Sequence, residues 1–142
     1  MASLEPADLK RLAAQRISRA TLRLEVTAAA ALEGGDVDGA CAAAFDAYRM
    51  AAEALLIRHG LDPASAGDSG VAVQVSASAR FADEIPAFAP AVADRFRRTY
   101  ERAQLFDPKA IHPSSADALW AIETAQSAVA AVKARLGGKR RE

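Results

Sequence analysis

The chain has few of the residues that covalent crosslinks and metal clusters require. Cys41 is the single cysteine among 142 residues, so no internal disulfide and no cysteine-based zinc cluster can form. Only two histidines are present, and no run of residues shows the spacing of metal ligands. We therefore expect a protein without a metal or other cofactor, held together by ordinary packing.

The chain also lacks an excess of either charge and any long hydrophobic run. Eighteen basic residues balance eighteen acidic ones, so no overall field draws the protein to nucleic acid, and such binding would need a local patch. No stretch approaches the ~20 apolar residues of a membrane span. The first residues, "MASLEPADLKRLAAQ", lack the apolar core of a signal peptide. We expect a soluble cytoplasmic protein with no membrane association.

Small aliphatic residues are abundant where aromatic ones are scarce. Hydrophobic residues make up 51% of the chain and aromatics only 6%, so the apolar content is mainly alanine, leucine and valine. Alanine is the best helix former, and its small side chain lets helices approach closely. The composition predicts an all-α bundle forming one domain over residues 1–136, followed by a flexible tail, "GGKRRE", at 137–142.

Two amphipathic helices are predicted in the first half of the chain. The first begins at Pro6, a proline tolerated in a first turn, and ends at Gly34 as a left-handed cap. Asp36 is predicted to cap the second helix, and Gly60 to end it. The predicted inner faces comprise Leu9, Leu12, Arg16, Ala20, Leu24 and Ala28 in the first helix, and Cys41, Ala44, Phe45, Tyr48, Ala52, Leu55, Leu56 and His59 in the second.

The second half of the chain starts with an ambiguous segment, residues 71–81. Its alternating valines fit a strand, but an isolated strand would have no partner, so a short helix is preferred. The next helix is predicted from about Pro86 or Pro90 to about Leu105, followed by a turn through "DPKAIHP". A capping box then opens the last helix. Its predicted inner face comprises Ala118, Ile122, Ala125, Val129, Val132 and Leu136.

Three segments in order resemble the HEPN family (higher eukaryote and prokaryote nucleotide-binding domains). "ALEGGDVDGACAAAFDAYRMAAEALLIRHGL" is similar to the family's signature helix pair. "RFRRTYERAQLFDP" is similar to its fourth-helix segment, and "SSADALWAIETAQSAVAAVKARL" to its closing helix. The resemblance implies an up-down four-helix bundle with an extra short helix, and a homodimer. It also implies a nucleotidyltransferase-like or other protein partner in a toxin–antitoxin or defence-type module, or RNA.

Many HEPN domains are metal-independent RNases with an arginine followed, several residues later, by a histidine. In the best register, from Arg98, Ala103 stands in the histidine position and Leu105 in that of a common tyrosine. From Arg102 the next histidine is His112, beyond Pro108. The resemblance therefore favours a non-catalytic member that binds RNA or protein. Two alternatives stay open: an RNase that combines Arg98 or Arg102 with His59 or His112, and a helical adaptor with no nucleic-acid role.

Two arginine stripes are the strongest candidates for a binding surface. Their spacing of three and four residues puts each stripe on one helix face, where it could bind phosphate or an acidic partner. The competing interpretation is a pair of solvated faces neutralised by Asp94, Glu101 and Glu25. The stripes are Arg95, Arg98 and Arg102, with Tyr100 nearby, and Arg16, Arg19 and Arg23.

The remaining singled-out residues have simpler interpretations. His59 suits a helix C-terminus, where the helix dipole favours a cation. It lies roughly 27 Å along the helix from Cys41, which is expected to be a small buried apolar residue. Core or dimer contacts are expected for Phe45, Tyr48, Leu55 and Trp120.

Overall fold

The computed structural model describes residues 5–61 and 78–137, and within these ranges it contains helices and no strand. The predicted all-α class is thus confirmed. Residues 71–77 of the ambiguous segment lie outside the described ranges, as does the tail after residue 137, while residues 78–81 are helical. The helices are α1 (Pro6–Leu22), α2 (Ala29–Glu33), α3 (Val37–Arg58), α4 (Pro90–Ala103) and α5 (Ser115–Gly137), with a π-helical segment (Arg23–Ala28) joining α1 to α2 and a 3-10 turn (Pro86–Phe88) before α4.

α1 runs antiparallel to α3. Arg16 of α1 contacts Glu53 near the end of α3, whereas Arg23, one residue beyond α1, contacts Asp46, two turns earlier in α3. The two helices can lie side by side because the connection between α2 and α3 is only Gly34, Gly35 and Asp36. Short connections of this kind are typical of antiparallel neighbours in bundles.

The directions of α4 and α5 follow from a small apolar cluster at one end of the bundle. It joins Ala40 and Cys41 at the start of α3, Ala103 at the end of α4, and Ala118 at the start of α5. α4 is therefore antiparallel to α3, and α5 is parallel to it. The long helices have the up-down-up-down course that the resemblance implied.

α3 is the central helix. Fifteen of its 22 residues are buried, so it is surrounded on nearly every side. The other helices can approach it closely because alanines occupy many of these positions. Its predicted inner face is buried except for His59, which is exposed because it already belongs to the turn that ends the helix.

Glycines with a positive φ end two helical stretches in the first half of the chain, and one of them is the residue after the predicted glycine. Gly35, with φ of 85°, takes the left-handed conformation, whereas Gly34 has φ of −82°. The prediction that Gly34 is the left-handed cap was wrong, because Gly35 takes that conformation. The Asp36 N–H donates to the Ala31 carbonyl, which is the six-residue hydrogen bond of a Schellman motif. Asp36 also caps α3, accepting from the Gly39 N–H at 2.9 Å. Gly60 ends α3 as predicted, with φ of 78°.

The buried row of α1 also differs from its predicted face. Ala13 and Ile17 are buried, whereas Leu9 and Leu12 are only partly buried, and Arg16 points toward the acidic residues of α3. The later predicted positions, Ala20, Leu24 and Ala28, are buried as expected, so the difference is confined to the part of α1 before Ala20.

In the second half, α4 ends at Ala103, two residues before the predicted end. The Ser114–Asp117 capping box is confirmed: each backbone N–H donates to the other residue's side chain, at 2.9 and 3.2 Å.

Among the described residues, no helix has the length and apolar character needed to traverse a bilayer.

Candidate functional site: an arginine groove beside an apolar loop

The second half of the chain brings one predicted arginine stripe together in a groove. Arg95, Arg98 and Arg102 line it along α4, as their spacing predicted, and the groove has a volume of about 630 Å³. We call this the arginine groove. Its other lining residues are Thr99, Glu101 and Leu105.

Each of the three arginines in the groove has a different contact. The Arg95 guanidinium lies 4.0 Å from the centre of the Trp120 ring, a cation–π contact that holds it against α5. Arg98 Nε lies 3.1 Å from Asp94 Oδ2, and its side chain is 62% exposed. A guanidinium has five N–H donors, so Arg98 keeps most of its donors available to an incoming anion.

Arg102 is held between α4 and α5. Its Nη2 lies 3.7 Å from Asp117 Oδ2, too long for a strong hydrogen bond. The pKa of Asp117 is lowered chiefly by the Ser114 backbone N–H, with further contributions from the Ser114 hydroxyl and from Arg102 and Arg95. The capping carboxylate thus stays ionised and orients Arg102 at the edge of the groove.

The acids predicted to neutralise this stripe pair mainly with a neighbouring arginine. Arg97 contacts Asp94 at 2.5 Å and Glu101 at 3.1 Å. The hydrogen bond from Arg97 is the main reason why the pKa of Asp94 is lowered, and Arg98 adds to the effect. Because Arg97 engages both carboxylates, they neutralise the groove only in part.

Three large apolar side chains project from the α4–α5 connection next to the groove. Leu105 lines the groove and is 46% exposed, Phe106 is fully exposed, and Ile111 is 78% exposed. We call these three residues the apolar tip. The stretch after Leu105 was predicted as a turn, and the exposed apolar surface formed by these three side chains was not predicted. The signal was the presence of large apolar residues in a proline-containing loop, where polar ones are usual.

His112 attaches this loop to the start of α3. Its Nδ1 lies 2.9 Å from Asp38 Oδ2, and its Nε2 lies 3.2 Å from the Asp107 carbonyl oxygen. Both ring nitrogens face oxygen acceptors, so the protonated ring can donate to both. These contacts raise the pKa of His112, the Asp107 carbonyl more than the Asp38 carboxylate. Phe106 immediately precedes Asp107 and Ile111 immediately precedes His112, so each of these apolar residues is next in the chain to a residue of the His112–Asp107 contact.

The histidines do not complete a nuclease pair with the arginines. Within residues 5–61 and 78–137, no hydrogen bond joins His59 or His112 to Arg98 or Arg102. His59 lies at the opposite end of α3, with Nδ1 3.0 Å from the Leu55 carbonyl. His112 has both ring nitrogens in contact with oxygen atoms of Asp38 and Asp107, not with an arginine of the groove.

In the first-helix arginine stripe, Arg16 and Arg23 contact acidic residues of α3. Arg16 lies 3.2 Å from Glu53, and Arg23 lies 3.7 Å from Asp46. Arg49 joins these two acids, at 2.6 Å from Glu53 and 3.2 Å from Asp46. The predicted partner Glu25 was wrong, because the acids of the adjacent helix are closer. Arg19 remains exposed on α1.

Cys41 and the predicted aromatic contacts belong to the interior. The pKa of the Cys41 thiol is raised to about 11, chiefly by burial and also by the nearby carboxylates of Asp117 and Asp38, against the opposing effect of Arg102. Such a thiol is a weak nucleophile. The other interior contacts are Phe45, Tyr48 and Leu55 in the core, Trp120 packed against it, and Tyr100 stacked on Phe45 with ring centres 4.3 Å apart.

Comparison with known proteins adds no relative. No family model, no curated protein and no solved structure matches this chain. The resemblance to HEPN domains therefore depends on the three quoted segments and their order. Among the described residues, no group of three or more histidine, cysteine or acidic side chains is arranged to hold a metal ion.

Proposed function

We propose that this protein is a non-catalytic, HEPN-like binding protein whose arginine groove engages an anionic partner. The observation that carries the proposal is the convergence of Arg95, Arg98 and Arg102 on one groove in a chain of zero net charge. Binding of an anion here requires a local patch, and arginine is the side chain best suited to paired hydrogen bonds with phosphate or carboxylate.

The family setting is part of the proposal. The up-down order of the long helices is the architecture that the HEPN resemblance implies. In that setting the partner is a nucleotidyltransferase-like or other protein of a toxin–antitoxin module, or RNA. The absence of a possible internal disulfide is in keeping with a cytoplasmic location.

Binding is favoured over catalysis by the placement of the two histidines. Ala103 offers no proton-transfer group where the nuclease motif needs one, and it is buried. His112 is occupied by Asp38 and the Asp107 carbonyl. The groove can therefore hold a phosphate or a carboxylate, but among the described residues no histidine lines it, and its lining carboxylate, Glu101, is paired with Arg97.

A homodimer is the second part of the proposal. Leu22 and Val26 are each 59% exposed and lie four residues apart at the junction of α1 and the π-helical segment. Apolar side chains at this spacing share a helix face and suit a helix of a second copy. Sedimentation equilibrium should show a dimer that Leu22→Glu dissociates. A wild-type chain that stays monomeric would remove this part.

The groove is tested with two anionic oligomers of about 20 units, an oligouridylate and an oligoglutamate. Binding of at least one of them, followed by fluorescence anisotropy, should weaken at least tenfold in Arg98→Glu. Arg11→Glu, on α1, is the matched control and should change affinity less than twofold. Three phosphate contacts predict about a 20-fold loss of oligouridylate affinity between about 50 and 200 mM salt.

Two results would contradict the proposal. If neither oligomer binds, or if Arg98→Glu and Arg11→Glu have equal effects, the groove is not the site. If the oligouridylate is cleaved and His112→Ala abolishes that cleavage, the protein is a nuclease and the non-catalytic part is wrong.

A further inference from the structure

The arginine groove and the apolar tip form one continuous surface, because Leu105 belongs to both. Beyond Leu105, the fully exposed Phe106 and the 78% exposed Ile111 extend the apolar part. Interfaces that recognise proteins combine aromatic and aliphatic anchors with arginine, which are the residue types present here.

The surface suits apolar side chains better than nucleic-acid bases. Single-stranded RNA binds on aromatic rings that successive bases can stack on. Phe106 is the one freely presented ring of this surface, since Tyr100 stacks on Phe45 and Arg95 covers a face of Trp120. Leu105 and Ile111 are branched aliphatic residues, which pack against leucine or phenylalanine and offer no π face.

We propose that this surface docks an acidic amphipathic helix of a partner protein. Its carboxylates would contact the arginine groove, and its large apolar side chains would cover the apolar tip. Arg95 and Arg102 are seven positions apart, a rise of roughly 10 Å along the helix, so acids about two turns apart on the partner helix match the groove. This inference rests on the proposed function and specifies the anionic partner as a protein with an acidic amphipathic helix.

The loop that carries the apolar tip is held in place before any partner binds. His112 attaches it to Asp38, the Asp107 carbonyl accepts from the Ala110 N–H at 3.0 Å, and Pro113 is buried. A surface that is already ordered loses little conformational entropy on binding. Large exposed apolar residues on a fixed loop are therefore suited to serve as anchors.

The test is a selection of random peptides of about 16 residues, roughly four helical turns, displayed against the full-length protein. Selected peptides should be enriched in Asp and Glu, with large apolar residues at three- and four-residue spacing. A synthetic selected peptide should bind at least tenfold more weakly to Arg98→Glu and to Phe106→Ser. Phe106 is fully exposed, so its replacement should leave the fold intact. Leu119→Ser is the matched control, because Leu119 is an exposed apolar residue on α5 outside the apolar tip. This variant should bind the peptide as tightly as the wild type does.

Four outcomes would overturn the inference. They are a selection without binders, selected peptides without acidic enrichment, binding that is indifferent to Phe106→Ser, and an oligouridylate that binds more tightly than the peptide and is lost in the same variants. A dimer that Phe106→Ser dissociates would assign the surface to a second copy instead. If the oligomers of the previous test require Arg98 but no peptide requires Phe106, the proposed function stands and this inference fails.

Discussion

Glu53→Gln is expected to destabilise the fold, because Glu53 is the acidic centre of the contacts between α1 and α3. Its side chain is only 11% exposed and lies between two arginines, with Arg49 at 2.6 Å and Arg16 at 3.2 Å. Arg16 Nε is buried without a hydrogen bond among the described residues, so it depends on the charge of Glu53. Glutamine keeps the size of the side chain but removes that charge.

The expected loss in free energy of unfolding is about 2 kcal/mol. Breaking a fully buried ion pair costs about 3–5 kcal/mol, whereas an exposed pair contributes up to about 1 kcal/mol. Glu53 is nearly buried, but the side chains of Arg16 and Arg49 are 36% and 26% exposed, so water can solvate them after the change. The value therefore lies between the two limits, and for a chain of this length it corresponds to roughly 6 °C in Tm.

Urea unfolding followed by circular dichroism measures this loss directly. Glu25→Gln is the matched control, because Glu25 is exposed and makes no ion pair among the described residues. That control should change stability by less than about 0.5 kcal/mol. If Glu53→Gln is no more destabilising than Glu25→Gln, the contacts between α1 and α3 do not depend on this charge, and the account of the first arginine stripe is wrong.

Three further predictions concern the core, the loop and the thiol. Phe96→Ala should cost about 4 kcal/mol in thermal or urea unfolding, since Phe96 is fully buried and stacks on Tyr48 at 4.4 Å. Because the pKa of His112 is raised above 6.5, its contacts with the Asp107 carbonyl and with Asp38 should stabilise the fold fully below about pH 6.5 and less as pH rises through the folded-state pKa. Asp38→Asn should reduce this pH dependence without abolishing it, because the Asp107 carbonyl still contributes, and an unchanged stability–pH profile would contradict the prediction. Cys41, with a pKa raised to about 11, should be labelled by iodoacetamide at about pH 8 at least 100-fold more slowly in the native than in the unfolded protein. Equal rates would show that the thiol is accessible.

The limits of α3 could be predicted from the sequence because they depend on neighbouring residues. Asp36 caps the helix through an N–H three residues later, and Gly60 ends it with a positive φ that few other residues adopt. The π-helical segment could not be predicted in this way. A wider turn depends on how Leu24 and Ala28 are packed against other helices, and the sequence pattern does not encode that packing.

Only the arginine part of the candidate site could be predicted, because the rest again depends on packing between helices. The spacing of Arg95, Arg98 and Arg102 places them on one face of any helix, so their shared face could be predicted from the sequence alone. The attachment of the loop does not, because His112 and Asp38 are 74 residues apart. Their contact exists only once the parallel packing of α3 and α5 brings both helix starts to one end of the bundle.

The two arginine stripes show why spacing alone cannot assign a binding surface. Both have the same three- and four-residue pattern, but the acids that neutralise them lie in different places. Arg16 and Arg23 meet acids on the adjacent α3, so their charge is used within the fold. On α4 the nearest acids lie on the same helix and are largely occupied by Arg97, so Arg98 is left 62% exposed. An arginine stripe is available to a partner only where the surrounding carboxylates leave guanidinium donors free. On α4 the facing helix α5 contributes Asp117, which lies 3.7 Å from Arg102, and Arg98 keeps most of its donors available.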